Sequence, residues 1–114
     1  MKFTIAREKE FVPTVNGNDK EETPVKFILK YLNSVEREGI LNSTFDEEGR
    51  VRIKPDYRKA CLTSIKKIND FVVDNKPIET AKDFLELPGF YEMFLEVASE
   101  IISMNAVQDS KNLQ

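Results

Sequence analysis

One thiol and no imidazole set the limits of what this chain can do chemically. Its 114 residues contain no His and one Cys. That excludes a Ser-His-Asp or Cys-His arrangement, a His ligand for zinc, an internal disulfide and a CxxC site. Cys61 lies in Tyr57-Arg58-Lys59-Ala60-Cys61-Leu62, where helical spacing to Tyr57 and Ile65 puts it on an apolar face. With no base nearby, a buried structural thiol is favoured over a nucleophile. Gly17, Gly39, Gly49 and Gly89 stand apart and form no phosphate loop. Asp46, Glu47 and Glu48 are adjacent carboxylates, but the EF-hand spacing and its distal Glu are missing, so they read as a solvated turn. The expectation is a protein without catalysis, cofactor or metal.

Charge is more informative. The net value of -3 hides an asymmetry: residues 1–76 carry 15 basic and 13 acidic side chains, whereas 77–114 carry 2 and 7. Arg50, Arg52, Lys54, Arg58, Lys59, Lys66 and Lys67 face only Asp56 within their segment. One end of the fold should be positive and the last helix negative.

The elements that must carry these charges follow from periodicity. Residues 1–23 read as an extended arm, because Phe3, Ile5, Phe11, Val12 and Val15 are scattered among charges and Pro13 excludes regular helix. Pro24 to Leu32 reads as a strand, with Val25, Phe27, Leu29 and Tyr31 on one face. Ser34 is expected to cap a short helix, Val35 to Leu41. Thr44-Phe45 and Arg50 to Lys54 flank a turn, predicting a hairpin with Val51 and Ile53 inward and the basic residues outward. Asp56 opens a helix to about Lys67 with Tyr57, Cys61, Ile65 and Ile68 on one face. Ile68 to Val73 and Pro77 to Glu79 flank Asp74-Asn75-Lys76 as a second hairpin. Thr80, with Asp83 three residues on, caps a helix to Leu87 that Pro88-Gly89 breaks. The last helix runs from about Phe90 to Asn105, and 107–114 reads as a flexible tail. No internal repeat is present.

That last helix carries the main functional expectation. At 100° per residue, Glu92, Glu96, Ser99, Glu100 and Ser103 fall on a narrow polar arc and everything else is apolar, a stripe wider than an ordinary surface helix needs. The plainer reading is a central core helix covered on two flanks. The functional reading is a face of Met93, Phe94, Val97, Ile101 and Met104 that meets another protein. Arg50, Arg52 and Lys54 are first the solvated face of a strand. They could instead contact phosphate, extended by Arg58 and Lys59 in a nucleic-acid-associated protein. A third reading sets them against Glu92, Glu96 and Glu100 of a neighbouring copy in a homo-oligomer with head-to-tail contacts.

At 13.2 kDa the chain has room for one modest core. The expected fold is α+β: a small, mainly antiparallel sheet packed against three or four helices over 24–106, preceded by the extended N-terminal arm. No membrane span fits, since Glu92, Glu96 and Glu100 interrupt the most apolar stretch. The N-terminus lacks an apolar export signal, so a cytoplasmic protein is expected.

Lys2-Phe3-Thr4-Ile5, Phe11-Val12-Pro13, Asn16-Gly17-Asn18 and the charged run into the Val25 to Tyr31 strand resemble the start of the small tail assembly chaperones of long-tailed siphophages and prophages. The basic helix, the strand Ile68 to Val73, Lys82-Asp83-Phe84-Leu85, Leu87-Pro88-Gly89-Phe90 and the apolar-acidic terminal helix are similar to theirs in order. Val15 stands where that pattern has an aromatic, and Thr23-Pro24 follows a shorter acidic run. The resemblance implies a non-enzymatic protein of the bacterial host cytoplasm. Its partners would be the long helical tape measure protein and, through recruitment, tail tube subunits. It also implies that such genes often make a frameshifted longer product, of which this chain would be the shorter form. A structural virion or prophage component is the alternative within the same setting.

Overall fold

The structure, a computed structural model, describes residues 1–106, and at 42–44 and 53 the backbone alone. In chain order the elements are β1 (Glu8–Phe11), a 3-10 turn (Val15–Lys20), β2 (Lys26–Lys30), α1 (Ser34–Ile40), β3 (Leu41–Phe45) and β4 (Val51–Pro55). They continue with α2 (Tyr57–Ser64), β5 (Ile65–Asn69), β6 (Val72–Val73), β7 (Lys76–Pro77), α3 (Ala81–Leu85) and α4 (Tyr91–Ala106). This is an α+β fold: an antiparallel sheet in the order β1-β2-β5 and two separate hairpins, β3-β4 and β6-β7.

Strand β2 sits at the centre because its alternation is the cleanest in the chain. Phe27 and Leu29 are fully buried beneath the helices, while Lys26, Ile28 and Lys30 turn to the other face. On that outer face Glu8 pairs with Lys66 at 2.6 Å, Glu10 with Lys26 at 3.5 Å and Lys30 with Glu36 at 2.7 Å. An antiparallel sheet with one dry and one wet face shows this division.

The core is organised around α4 and aromatic contacts. Phe84 meets Phe27 edge-on at 5.1 Å between ring centroids, and Phe71 meets Phe90 at 5.3 Å. Val97, Ala98 and Ile101 of α4 are fully buried, and α2 packs along the same helix. Asn105, also buried, accepts the Leu32 N–H at 2.8 Å and donates to the Ile101 carbonyl at 2.7 Å, tying the end of α4 to the end of β2.

Several expectations are corrected by the backbone. Of the 23 residues read as an extended arm, the first seven are exposed and in no helix or strand, whereas β1 belongs to the sheet and Pro13 is buried. The cap of α1 is Asn33, not Ser34: Asn33 accepts the Glu36 N–H and Glu36 accepts the Asn33 N–H, a reciprocal box. The second helix stops at Ser64, and Ile65 to Asn69 is strand. Val51 faces solvent instead of the core, as does its cross-strand partner Phe45, while the side chain of Ile53, expected inward with it, lies outside the described residues. Thr80 does accept the Asp83 N–H, and Asp74 and Asn75 take the left-handed conformation that the β6-β7 turn requires. The expected tail, 107–114, lies outside the described residues.

Candidate interaction surface

Where α3 ends, Leu87-Pro88-Gly89-Phe90 redirects the chain into α4, with Gly89 at φ +85°, a conformation that a Cβ would strain. The redirection brings Leu85 and Leu87 beside Phe90, Tyr91 and Phe94 around a groove of about 240 Å³, with Phe84 in its wall and Arg58 of α2 at its rim. Tyr91 is 68% exposed and its ring lies 5.9 Å from that of Phe94. Behind the groove, Phe84 and Phe90 pack edge-on against Phe27 and Phe71 of the core. Arg58 has no ion pair among the described residues. The site thus offers an apolar wall, an exposed aromatic ridge and one available cation.

A second, open groove of about 590 Å³ runs between β1 and α4. Phe11, Leu95, Ser99 and Ser103 line it together with Glu96 and Glu100. Both carboxylates are engaged within the chain. Glu96 accepts the Thr14 N–H at 2.7 Å and the Val15 N–H at 3.1 Å, which closes the open end of the 3-10 turn. Glu100 pairs with Lys9 of β1.

The residues singled out from sequence separate accordingly. Val97 and Ile101 are fully buried and Met93 and Met104 nearly so, which makes these four, first of all, core residues of α4. Phe94 lines the groove beside α3, and Met93 lines a separate hollow with Val15, Phe90 and Tyr91. The cause is the breadth of the apolar arc: α2 packs along α4 and the core takes in most of its apolar side, leaving Tyr91 exposed and Phe94, Leu95 and Ile102 partly buried. Phe90 and Tyr91 belong to the apolar arc of the last helix, whereas Leu85 and Leu87 carry no such expectation. Leu87-Pro88-Gly89-Phe90 was their only signal, a helix break bracketed by large apolar residues.

Arg50 and Arg52 converge on Asp46, whose carboxylate lies 3.1 Å and 3.4 Å from their Nε atoms. Arg50 also pairs with Glu48. The Asp46 carboxyl is held below its usual range, first by the Arg50 backbone N–H, then by the Glu48 N–H and the two guanidinium groups. This acidic residue staples the turn, as a solvated turn reading requires. Among the described residues Arg50 and Arg52 thus contact Asp46 and Glu48, whereas Glu96 and Glu100 hold Thr14 and Lys9. Cys61 is buried, and burial pushes its thiol up to about 12, far from a reactive thiolate. No group of three His, Cys, Asp or Glu among the described residues is placed to hold a metal, and no described helix is long and apolar enough to cross a membrane.

Comparison with family models, with curated proteins and with solved structures finds no match to this chain.

Proposed function

We propose that this chain is a phage tail assembly chaperone that acts by binding. In the bacterial host cytoplasm it would hold helical segments of the tape measure protein and help to recruit tail tube subunits. Sequence resemblance supplies the identity of the partner, and the groove between α3 and α4 is the observation that carries the mode of binding. An apolar trough with an aromatic ridge suits the apolar stripe of an amphipathic helix, and Arg58 at the rim suits a carboxylate beside that stripe. Binding through Tyr91 and a cation has the composition of an interface hot spot.

The test is titration of a helical tape measure fragment against variants of proven fold. Tyr91→Asp, at an exposed position, should weaken binding about tenfold or more with a thermal melt close to wild type, and Leu87→Ala should weaken it in the same direction. Arg50→Glu combined with Arg52→Glu should leave it largely intact. A fragment that binds both groove variants at wild-type strength would refute the reading. Loss of binding on the double charge reversal, together with steeply salt-dependent affinity for nucleic acid, would transfer the function to the basic face.

A further inference from the structure

Strand β1 is the outer strand of its sheet. The Tyr31 N–H donates to the Arg7 carbonyl at 3.0 Å. With Glu8 opposite Lys30, the odd-numbered residues are therefore the ones that exchange hydrogen bonds with β2, and the N–H and C=O of Glu8 and Glu10 point to the open edge. Upstream, Ile5 and Ala6 continue beside Tyr31 and Leu32, where they line a shared hollow. Phe3 and Ile5 are 82% and 71% exposed. Were β1 extended upstream with a strand's period of two, they would fall on the side of Lys9 and Phe11, the side on which the open groove between β1 and α4 runs.

We propose that residues 2–10 pair antiparallel with the same residues of a second copy, joining two three-stranded sheets and laying Phe3 and Ile5 of each copy along the other's groove. A two-fold axis perpendicular to a sheet leaves each face on its own side, so it must pass through a residue pair and not between residues. Charge selects which pair. An axis at Glu8 sets Glu8 against Glu8 and Arg7 against Lys9; one at Lys9 sets Lys9 against Lys9 and Glu8 against Glu10; one at Arg7 opposes two guanidinium groups. An axis at Ala6 is the longest overlap free of like pairs. It places Lys2 opposite Glu10, Thr4 opposite Glu8, Phe3 opposite Lys9 and Ile5 opposite Arg7. The same charges that reject the longer overlaps protect this edge from indiscriminate strand addition.

The experiment is sedimentation combined with disulfide trapping. Opposed Ala6 residues would form a hydrogen-bonded pair with Cα atoms about 5.5 Å apart, within disulfide reach. Two copies of Glu8 would be roughly 13 Å apart, beyond it. Ala6→Cys should therefore cross-link into a covalent dimer under mild oxidant and Glu8→Cys should not. Ala6→Pro removes an edge N–H without touching the bonds to β2, so it should weaken dimerisation about tenfold or more and leave the melt of the dilute protein unchanged. A wild-type chain that is monomeric at about 100 µM would overturn the proposal. Preferential cross-linking of Glu8→Cys, or wild-type dimerisation by Ala6→Pro, would overturn it equally.

Discussion

The Glu96 carboxylate of α4 receives the Thr14 backbone N–H on both of its oxygens, at 2.7 Å and 2.8 Å, across 82 residues of sequence. Its neighbour one turn on, Glu100, holds Lys9. Together they fasten Lys9, Thr14 and Val15 to the last helix, which converts this part of the polar arc of α4 from a solvated stripe into a seam.

Glu96→Ala should therefore destabilise the protein by about 1–2 kcal/mol, the scale of charge-assisted hydrogen bonds that water can partly replace. The melting temperature should fall by roughly 5–10 °C by circular dichroism. Glu92→Ala, at an exposed position of the same arc, should change it little. Equal melts for the two variants would contradict the seam.

Asn105 has a different expected cost because it is 4% exposed and satisfies two backbone groups at once. Asn105→Leu keeps much of the volume but leaves the Leu32 N–H without its acceptor, and should cost about 1–3 kcal/mol. Urea unfolding should show a lower midpoint at unchanged slope.

Acid sensitivity should trace in part to Glu36. The Lys30 ammonium bonded to it, then the Asn33 N–H, hold its carboxyl below the ordinary value of 4.5. A folded-state value below the unfolded one means that the stabilisation is present above the unfolded value and is lost as pH falls through the folded one. Below pH 4.5, wild type should thus lose stability more steeply than Glu36→Gln, as measured by thermal melts across the acid range.

Position along α4 should decide what an aspartate does. Met93→Asp inserts a carboxylate into the core and should unfold the chain, at a cost of several kcal/mol. Tyr91→Asp, two residues earlier and exposed, should leave the melt near wild type. A folded Met93→Asp protein with a cooperative melt would place that side chain outside the core.

How much of this was legible depended on local pattern. Strand β2, helix α4, the Thr80 cap and the Asp74-Asn75 turn follow from alternation, periodicity and capping chemistry within a few residues. Strand β5 misled because Ile65 and Ile68 are both buried although three apart, a helical spacing. The irregularity opposite Ile28 and Leu29 makes it possible: Leu29 faces Ile65 while Ile28 faces Lys67, so an extra residue restores both isoleucines to the inner side. Strand β1 misled because Lys9 faces inward, where it stays partly exposed and pairs with Glu100, far away in sequence. The groove was illegible for a related reason. Which part of the broad apolar arc of α4 stays open is set by what the rest of the core covers, and no single segment encodes that.

The order of the elements also governs how the chain emerges during synthesis. Strands β2 and β5 are neighbours in the sheet yet are separated by α1, β3, β4 and α2, and α4, the helix that seals their inner face, is made after all of them. Met93, Val97, Ala98, Ile101, Met104 and Asn105 are its buried contributions. Until they leave the ribosome, Phe27 and Leu29 have no complete cover, so a nascent chain halted before Tyr91 would present a bare apolar sheet. The inner face of this sheet is therefore closed only once α4 has been made.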